Sequence, residues 1–569
     1  MLLLASIIKK KIKNQIYYYY VESKRVNGKP KLVNQKYLGS AEKLLEKLLL
    51  AEKPFEERVL YSDEAEFGSV MLLYDIAERL GITETIDRII PKRDQGASVG
   101  AYILTAVINR AVNPSAKSGL SEWYANTCLP VTTGFTPAMF TAQNFWNNTG
   151  FSQMEADRVE EAILRKMVEA YQIDMTHIIY DATNFFTYID TKQDSQLSKR
   201  GHCKQKRNDL RIVGLSLMVE SEFSIPLLHE AYPGNRGDAK EFPIMMKKLK
   251  DRYEAITGRT ADVTVVFDRG NNSGLNIDIL ESGDFKLHYV GGLKRCEAKD
   301  LYMINISEYS PLCSPSLEKQ SAYRKEMDVY GRKAIAVIVH NPELEKGQMQ
   351  GILINMERTE NKLLELQQKL MRRAAGEVTK GKKPTVESIT IAVEKILNPE
   401  YMRDIFSYTV EERDKNIYLI YAPSDEELDR IRRDYLGKTV LFTDRCDFTN
   451  EQIVLAYRSA WHVESAFKQM KNPKHLTVRP IFHWTDEKIR VHIFICVLAY
   501  RLCSLLIKEL SEAGVHISIN RLMEEMSHIK RIHTFFGDMK KPQNIASFTR
   551  GSLLAEQIEQ LYCLKQKYS

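Results

Sequence analysis

No C-x-x-C pair occurs among the eight cysteines of this 569-residue chain, which lie scattered at 128, 203, 296, 313, 446, 496, 503 and 563. That spacing argues against a zinc knuckle and against a disulfide framework, and it suits a reducing, cytoplasmic setting. Long apolar runs are scarce too. The opening Met1 to Ile8 is too short to span a bilayer, and its lysines follow it rather than precede it, so neither a signal peptide nor an anchor is expected. The one other apolar run, Ile489 to Leu506, is interrupted by Arg490, His492 and Arg501 and reads as a buried core helix. No internal repeat is visible. What remains is ordinary globular composition, 44% hydrophobic and 27% charged, long enough for roughly three or four domains. A net charge of +7 permits a nucleic-acid partner without requiring one.

Residues 14–39 alternate aromatic and polar side chains around Asn27-Gly28, which predicts a β-hairpin, followed by a linker helix near 41–51. The hairpin's lysines and tyrosines suit DNA phosphates and bases, or simply a solvated surface. From Phe67 the period becomes helical, with Val70, Leu73, Tyr74, Ala77 and Leu80 on one stripe and Gly81 as its stop. A second short segment, 84–90, makes the pair similar to a helix-turn-helix. Further helices are expected at 99–112, 137–147 and 155–171, the last opened by the capping box Ser152-x-x-Glu155. Residues 1–59 therefore read as a hairpin with a linker helix, and 60–172 as a helical, DNA-end-binding region.

The centre changes character. His177 to Asp190 is rich in β-branched and aromatic residues, a buried strand that nevertheless carries Asp181. A carboxylate there needs a cation, donors or a metal; taken alone, a turn cap or a core salt bridge would account for it. Apolar runs at 211–220 and 225–232 complete a three-stranded meander, and a helix with the capping box Asp238-x-x-Glu241 leads to Val263 to Phe267 and then Asp268. A strand reached through a helical crossover can lie parallel to the first, so Asp181 and Asp268 are expected side by side at a spacing of ~4.8 Å. This element order is that of a ribonuclease H-like fold. Residues 199–211 supply a basic loop with Lys199, Arg200, Lys204, Lys206, Arg207 and Arg211, either a solvated charge run or a receiver of phosphates.

Residues 296–445 break the pattern with strand-like runs around a long polar helix near 350–373 and read as an inserted α+β domain. The second part of the core, 446–510, opens with the capping box Thr449-x-x-Gln452. Ile453, Tyr457, Trp461, Glu464, Phe467 and Lys471 then follow at helical spacing, which predicts one helix with Glu464 on its core-facing stripe. A Glu so placed is either a salt-bridge partner or a third acid for two divalent cations. Residues 511–569 are expected to be helical. The fold class is thus multidomain α/β: a ribonuclease H-like core interrupted by an α+β insertion, behind a helical N-terminal region.

Several motifs in this order resemble the DDE transposases of bacterial insertion sequences, specifically the insertion-sequence-four group. Tyr180-Asp181-Ala182-Thr183 and Phe267-Asp268-Arg269-Gly270 are similar to the two aspartate motifs. Gly201-His202-Cys203-Lys204, Asp209-Leu210, Gly234-Asn235 and Asp238 resemble the block between them. Tyr457 to Glu464, with Lys471 beyond, resembles the signature Tyr-x-x-Arg-x-x-x-Glu-x-x-x-x-x-x-Lys. The resemblance implies Asp181, Asp268 and Glu464 as ligands of two Mg²⁺ (or Mn²⁺) ions, and Tyr457 and Lys471 as contacts to DNA near the cut. It also implies terminal inverted repeats and target DNA as partners, and a homodimer on DNA. Ala460 replaces the signature Arg; Arg458 points elsewhere on a helix, which shifts end binding toward Lys468 and Lys471. Some members of the group hold a flipped base on a tryptophan of the inserted domain during hairpin formation, whereas Trp123, Trp146, Trp461 and Trp484 lie outside it here. The expected activity is cut-and-paste transposition. The alternatives are a DNA-binding protein that lost the chemistry and a nuclease of the same fold without strand transfer.

Overall fold

A computed structural model gives the structure of the chain and describes every residue except 1–3, 14, 27–28, 53–58, 93–95, 191, 193, 203–206, 208, 258–261, 284 and 539–540. The chain divides into two units, Met1–Arg79 with Arg93–Asn148 and Glu509–Ser569, and Leu80–Lys92 with Thr149–Lys508.

In the first unit, β1 (Leu4–Ile12), β2 (Gln15–Val26) and β3 (Lys29–Gly39) form an antiparallel sheet, and the helix Ala41–Glu52 follows. The expected hairpin is β2 and β3, with its Asn27-Gly28 turn outside the described residues. The strand β1 was read from sequence only as a short apolar opening. Residues 511–569, expected to be helical, contain the strands Lys530–Asp538 and Lys541–Phe548, and the first of these pairs antiparallel with β4 (Val59–Glu66). The two strands also pair antiparallel with each other, a local pairing that the helical expectation for this region passed over; only the partner β4 is remote in sequence. The helix Val99–Val112 forms as expected, capped by Ser98 Oγ accepting from Ala101 N.

In the second unit, the helix Gln153–Tyr171 begins with the capping box formed by Ser152 and Glu155. Gly81, at the expected helix stop, has φ +56°, a conformation that costs a side-chain-bearing residue more than glycine. The centre of the unit is a nine-stranded sheet. Its strands are β5 (His177–Thr187), β6 (Arg211–Glu220), β7 (Pro226–Pro233), β8 (Thr264–Phe267), β9 (His288–Gly292), β10 (Ser310–Pro311), β11 (Ser321–Val329), β12 (Arg332–His340) and β15 (Lys438–Thr443). Their spatial order is β10-β11-β12-β15-β9-β8-β5-β6-β7. Strands β5, β8 and β9 are mutually parallel and all the other pairings are antiparallel. The chain is therefore a multidomain α/β protein with a large mixed sheet.

The stretch expected as an insertion divides differently. Strands β11, β12 and β15 extend the core sheet, while residues between β12 and β15 build a separate apolar core. That core joins the helix Pro342–Ala374 to the hairpin of β13 (Phe406–Arg413) and β14 (Asn416–Pro423) through Leu363, Val393, Met402 and Ile405. On the other side, Asp238 and Glu241 were expected to cap a helix. Instead Tyr232 Oη donates to Asp238 (2.8 Å) and Arg236 to Glu241 (2.7 Å), which ties the loop after β7 to the helix Asp238–Thr257.

The helix Asp486–Glu512 is long and apolar enough to cross a membrane, and 89% of its apolar window is buried within the protein. It contributes Arg501, whose guanidinium is 1% exposed and donates to Glu160 (2.9 Å) and to the Pro226 carbonyl (2.7 Å). Glu160 also meets His229 Nδ1 (2.5 Å) and Arg252 (3.2 Å). Burial pushes the Glu160 carboxyl up, but His229, Arg501 and Arg252 more than offset this and hold it well below the usual carboxylate range. A charge taken out of water in this way is tolerated only when it is paired.

Candidate active site

The two aspartates are brought together by strand register. Tyr180 on β5 pairs with Phe267 on β8 in a parallel ladder, so Asp181 and Asp268 are the next residues along two adjacent strands. All four residues of β8 are buried, and the chain leaves the sheet at Asp268, which is exposed. The following turn, Arg269–Asn271, is fixed from both sides. Asn272 Nδ2 donates to the Gly292 carbonyl (2.6 Å), and Asn276 Nδ2 donates to the Asn271 carbonyl (2.7 Å). Asp181 is half-buried between the fully buried Tyr180 and Ala182, and its Oδ1 accepts from Ala182 N (2.7 Å).

The third acid is placed differently from the sequence expectation. The predicted single helix breaks at Ser459-Ala460 into Asn450–Arg458 and Trp461–Met470, and the break resets the phase of the apolar stripe. In the second helix the buried face is His462, Val463, Ala466, Phe467 and Met470, leaving Glu464 and Lys468 exposed and Trp461 56% exposed. This helix packs on β5 and β6. Among the described residues, no three His, Cys, Asp or Glu side chains group closely enough to hold a metal ion. Asp181 and Asp268 thus stand at neighbouring strand positions, and Glu464 sits on the solvent side of the adjoining helix.

Both signature residues that flank Glu464 touch the aspartate strands. Tyr457 Oη donates to Asp268 Oδ1 (3.4 Å). Burial, reinforced by the Asp268 charge and eased by Arg269, pushes the Tyr457 hydroxyl up to about 12, so it remains a donor at neutral pH. Gly292 makes this approach possible, since a Cβ there would lie 2.6 Å from Tyr457 Oη and 3.0 Å from Arg269 Cγ. Lys471 Nζ donates to Thr183 Oγ1 (2.7 Å), two residues along from Asp181 and on the same strand face, and lies 5.6 Å from the Phe185 ring centre. Arg458, expected as a DNA contact, instead donates to the Ser316 carbonyl (3.2 Å) and to Gln320 Oε1. Those two acceptors hold the segment before β11. His462 is a core residue: its Nδ1 is 2.8 Å from Ser224 Oγ, and burial pulls its pKa down to about 4.

The basic loop lies beside β5. Lys204 and Lys206 fall outside the described residues. Of the rest, Arg200 and Arg207 are exposed, Lys199 and Arg211 half-buried, and Asn184 Nδ2 donates to the His202 carbonyl (3.4 Å). Arg207 makes a two-point contact with Asp209 (2.8 and 2.7 Å), and that hydrogen bonding lowers the Asp209 carboxyl to about 2. The start of the loop is anchored by a residue with no local signal in the sequence, Asp486, which accepts from Ser195 Oγ (2.5 Å), Gln196 N (2.7 Å) and Leu197 N (3.2 Å). The glycines of the motif block have a steric reason. A Cβ on Gly201 would come within 1.9 Å of the Gly234 carbonyl, and one on Gly234 within 2.0 Å of the Ile212 carbonyl.

No curated protein matches the sequence. Six chains of solved structures do. One of them, a cryo-EM structure of a piggyBac transposase synaptic complex with hairpin DNA, is 10% identical over 82% of each chain with a TM-score of 0.38, a likeness too loose to carry an argument. The family profile described as transposase DDE domain matches residues 172–502, a span that includes both aspartate strands, the Glu464 helix and the residues between them. With more than half of its length under that profile, the chain belongs to the transposase DDE domain family.

Proposed function

We propose that this chain is the transposase of an insertion sequence, cutting phosphodiester bonds at the ends of its element and joining the freed 3′-hydroxyl to target DNA. The observation that carries the reading is the parallel register that sets Asp181, half-buried within β5, beside Asp268, exposed at the end of the buried strand β8. The strand order β7-β6-β5-β8-β9, with β8 and β9 parallel to β5, supports a ribonuclease H-like core.

The carboxylates of Asp268 and Glu464 are exposed, and hard oxygen donors fit Mg²⁺ or Mn²⁺. Asp181 and Asp268 would hold the ions, with Glu464 as the third ligand. Bound there, divalent cations supply charge neutralisation at phosphorus and an activated oxygen nucleophile. The chain's own residues bind and orient. Tyr457 fixes the carboxylate of Asp268, Lys471 and Lys468 place positive charge beside the acids, and Lys199, Arg200, Lys204, Lys206, Arg207 and Arg211 receive the backbone of the terminal repeats. Arg458, also expected in this set, has two of its guanidinium donors on the Ser316 carbonyl and Gln320 Oε1. Both ends of an element must be held at once, so the active form is a homodimer on DNA, working in the cytoplasm.

The test is cleavage of a duplex carrying the element's own ends, with and without divalent metal. Nicking should require metal and vanish in Asp181→Asn, Asp268→Asn and Glu464→Gln; full activity in any one of them sinks the assignment. One observation favours a second reading, a DNA-binding protein without chemistry: Glu464 is not grouped with the aspartates. Metal-independent binding of folded protein with no nicking would establish that reading instead.

A further inference from the structure

Beside the Asp268 turn lies a cavity of about 1120 Å³ whose cations, Arg269, Lys294, Arg295, Lys299 and Lys438, outnumber its two acids, Asp300 and Glu400. Arg269, which lines it, follows Asp268 directly, so the cavity borders the candidate active site. Its organising residue is Arg295. The guanidinium carbon lies 4.4 Å from the Tyr435 ring centre, 5.2 Å from Tyr401 and 5.9 Å from Tyr302, and a nitrogen donates to Tyr401 Oη. Ring faces that hold a guanidinium by cation–π attraction fix its plane and leave N–H edges to point outward. The nearest carboxylate, Glu400, is 3.9 Å away with its side chain 75% exposed, a pairing that does little to quench the charge. Lys438 is committed differently: burial lowers its pKa and its Nζ donates to the Tyr302 carbonyl (2.8 Å). Lys294 and Lys299 are exposed on the same lining.

A planar, oriented guanidinium with two exposed ammonium groups is a receptor for phosphate oxygens. The cavity has the size of a site for a small ligand or a few nucleotides, not for a duplex. The tyrosine faces are already occupied by Arg295, so the recognition is of backbone rather than of bases. We propose that this cavity binds the phosphodiester backbone of a single DNA strand, with Arg295 as the fixed receptor and Lys294 and Lys299 as its partners. The proposal rests on the reading that DNA is cut at Asp181 and Asp268, and it gives the cut strand a path beside Asp268.

Cys296 lines the cavity and is exposed, which provides a readout independent of cleavage. The full-length protein is treated with a maleimide and the modification rate is followed peptide by peptide, with exposed Cys313 and Cys446 as internal controls. With an oligothymidylate strand at about ten times its Kd, mass action predicts roughly tenfold slower labelling of Cys296 and unchanged controls. Blunt duplex and inorganic phosphate should leave all the rates unchanged. In Arg295→Ala/Lys299→Ala the slope of log K against log salt for the same strand should shrink by about 1.4, about 0.7 for each lost contact. Lys299→Ala alone, at an exposed side chain that leaves the tyrosine cluster intact, should shrink it by about 0.7. No protection of Cys296 by the strand, or slopes unchanged in both variants, overturns the proposal. Equal protection by a nucleoside triphosphate overturns the assignment to a DNA strand. The labelling requires no catalysis, so it can fail while metal-dependent nicking at the aspartates stands, and the reverse.

Discussion

Two sets of carboxylates in the same unit have opposite surroundings. Glu160 is 1% exposed and is met by His229, Arg252 and Arg501 from three other elements. Asp181 and Asp268 stand at neighbouring positions on β5 and at the end of β8, half-buried and exposed, and their contacts include a backbone N–H and a tyrosine hydroxyl. Full neutralisation inside the protein makes a carboxylate a piece of architecture, because its lone pairs have no capacity left for a ligand. Openness to solvent leaves oxygen available to a cation or substrate at little cost to stability.

Substitutions should separate the two sets cleanly. The largest effect is expected on activity: Asp268→Asn removes a ligand charge at the reacting centre and should cut nicking by about 10³-fold or more. Its melting temperature should stay within about 2 °C of the parent, as for an exposed site. Glu160→Gln should do the reverse. It strands two arginines and a histidine in the core and should cost about 3–5 kcal/mol in a denaturant titration; a loss under about 1 kcal/mol would break the comparison.

The pH dependence sharpens it further. Burial lowers the His462 pKa from its ordinary value of 6.5 to about 4, so the unfolded chain takes up a proton that the folded chain refuses. Stability should therefore be unaffected above pH 6.5 and fall as pH drops from 6.5 toward 4. His462→Gln should flatten that segment in a pH series of melting temperatures. Glu160 adds a second, more acidic loss: its folded pKa is depressed, so its contribution is complete above the unfolded value and fades as pH falls below it. The smallest effect belongs to Tyr457→Phe. Its contact to Asp268 is long at 3.4 Å, so the rate should fall only about fivefold, roughly 1 kcal/mol, with stability unchanged. A loss like that of Asp268→Asn would give Tyr457 a direct part in the chemistry.

Much of the core could be read from the residues. The three-strand meander, the helical crossover and the strand ending at Asp268 each carry a local pattern, and the handedness and parallel pairing of such a unit constrain the rest. Ser152 with Glu155 and Thr449 with Gln452 form the capping boxes their spacing implies. The Glu464 stripe did not survive, because continuous helical spacing across 449–471 contains no mark of the break at Ser459-Ala460. A phase shift of part of a turn then moves a side chain from the core to solvent. The bounds of the insertion were hidden for a related reason: β11, β12 and β15 look like strands of any domain, and only pairing assigns them to the core sheet.

The sequence by itself determined the periodic elements, the two aspartates at strand positions where carboxylates are costly, and the basic loop between β5 and β6. Those are local properties, set by side-chain spacing and backbone preference. Tertiary structure alone decided that Tyr180 stands opposite Phe267, that Asp486 anchors the basic loop from nearly three hundred residues away, and that Arg458 serves Ser316 and Gln320. It also decided that Arg295 is held among three tyrosines. Each is a contact between groups remote in the chain, and its existence depends on how surfaces buried elsewhere bring the strands and helices into register.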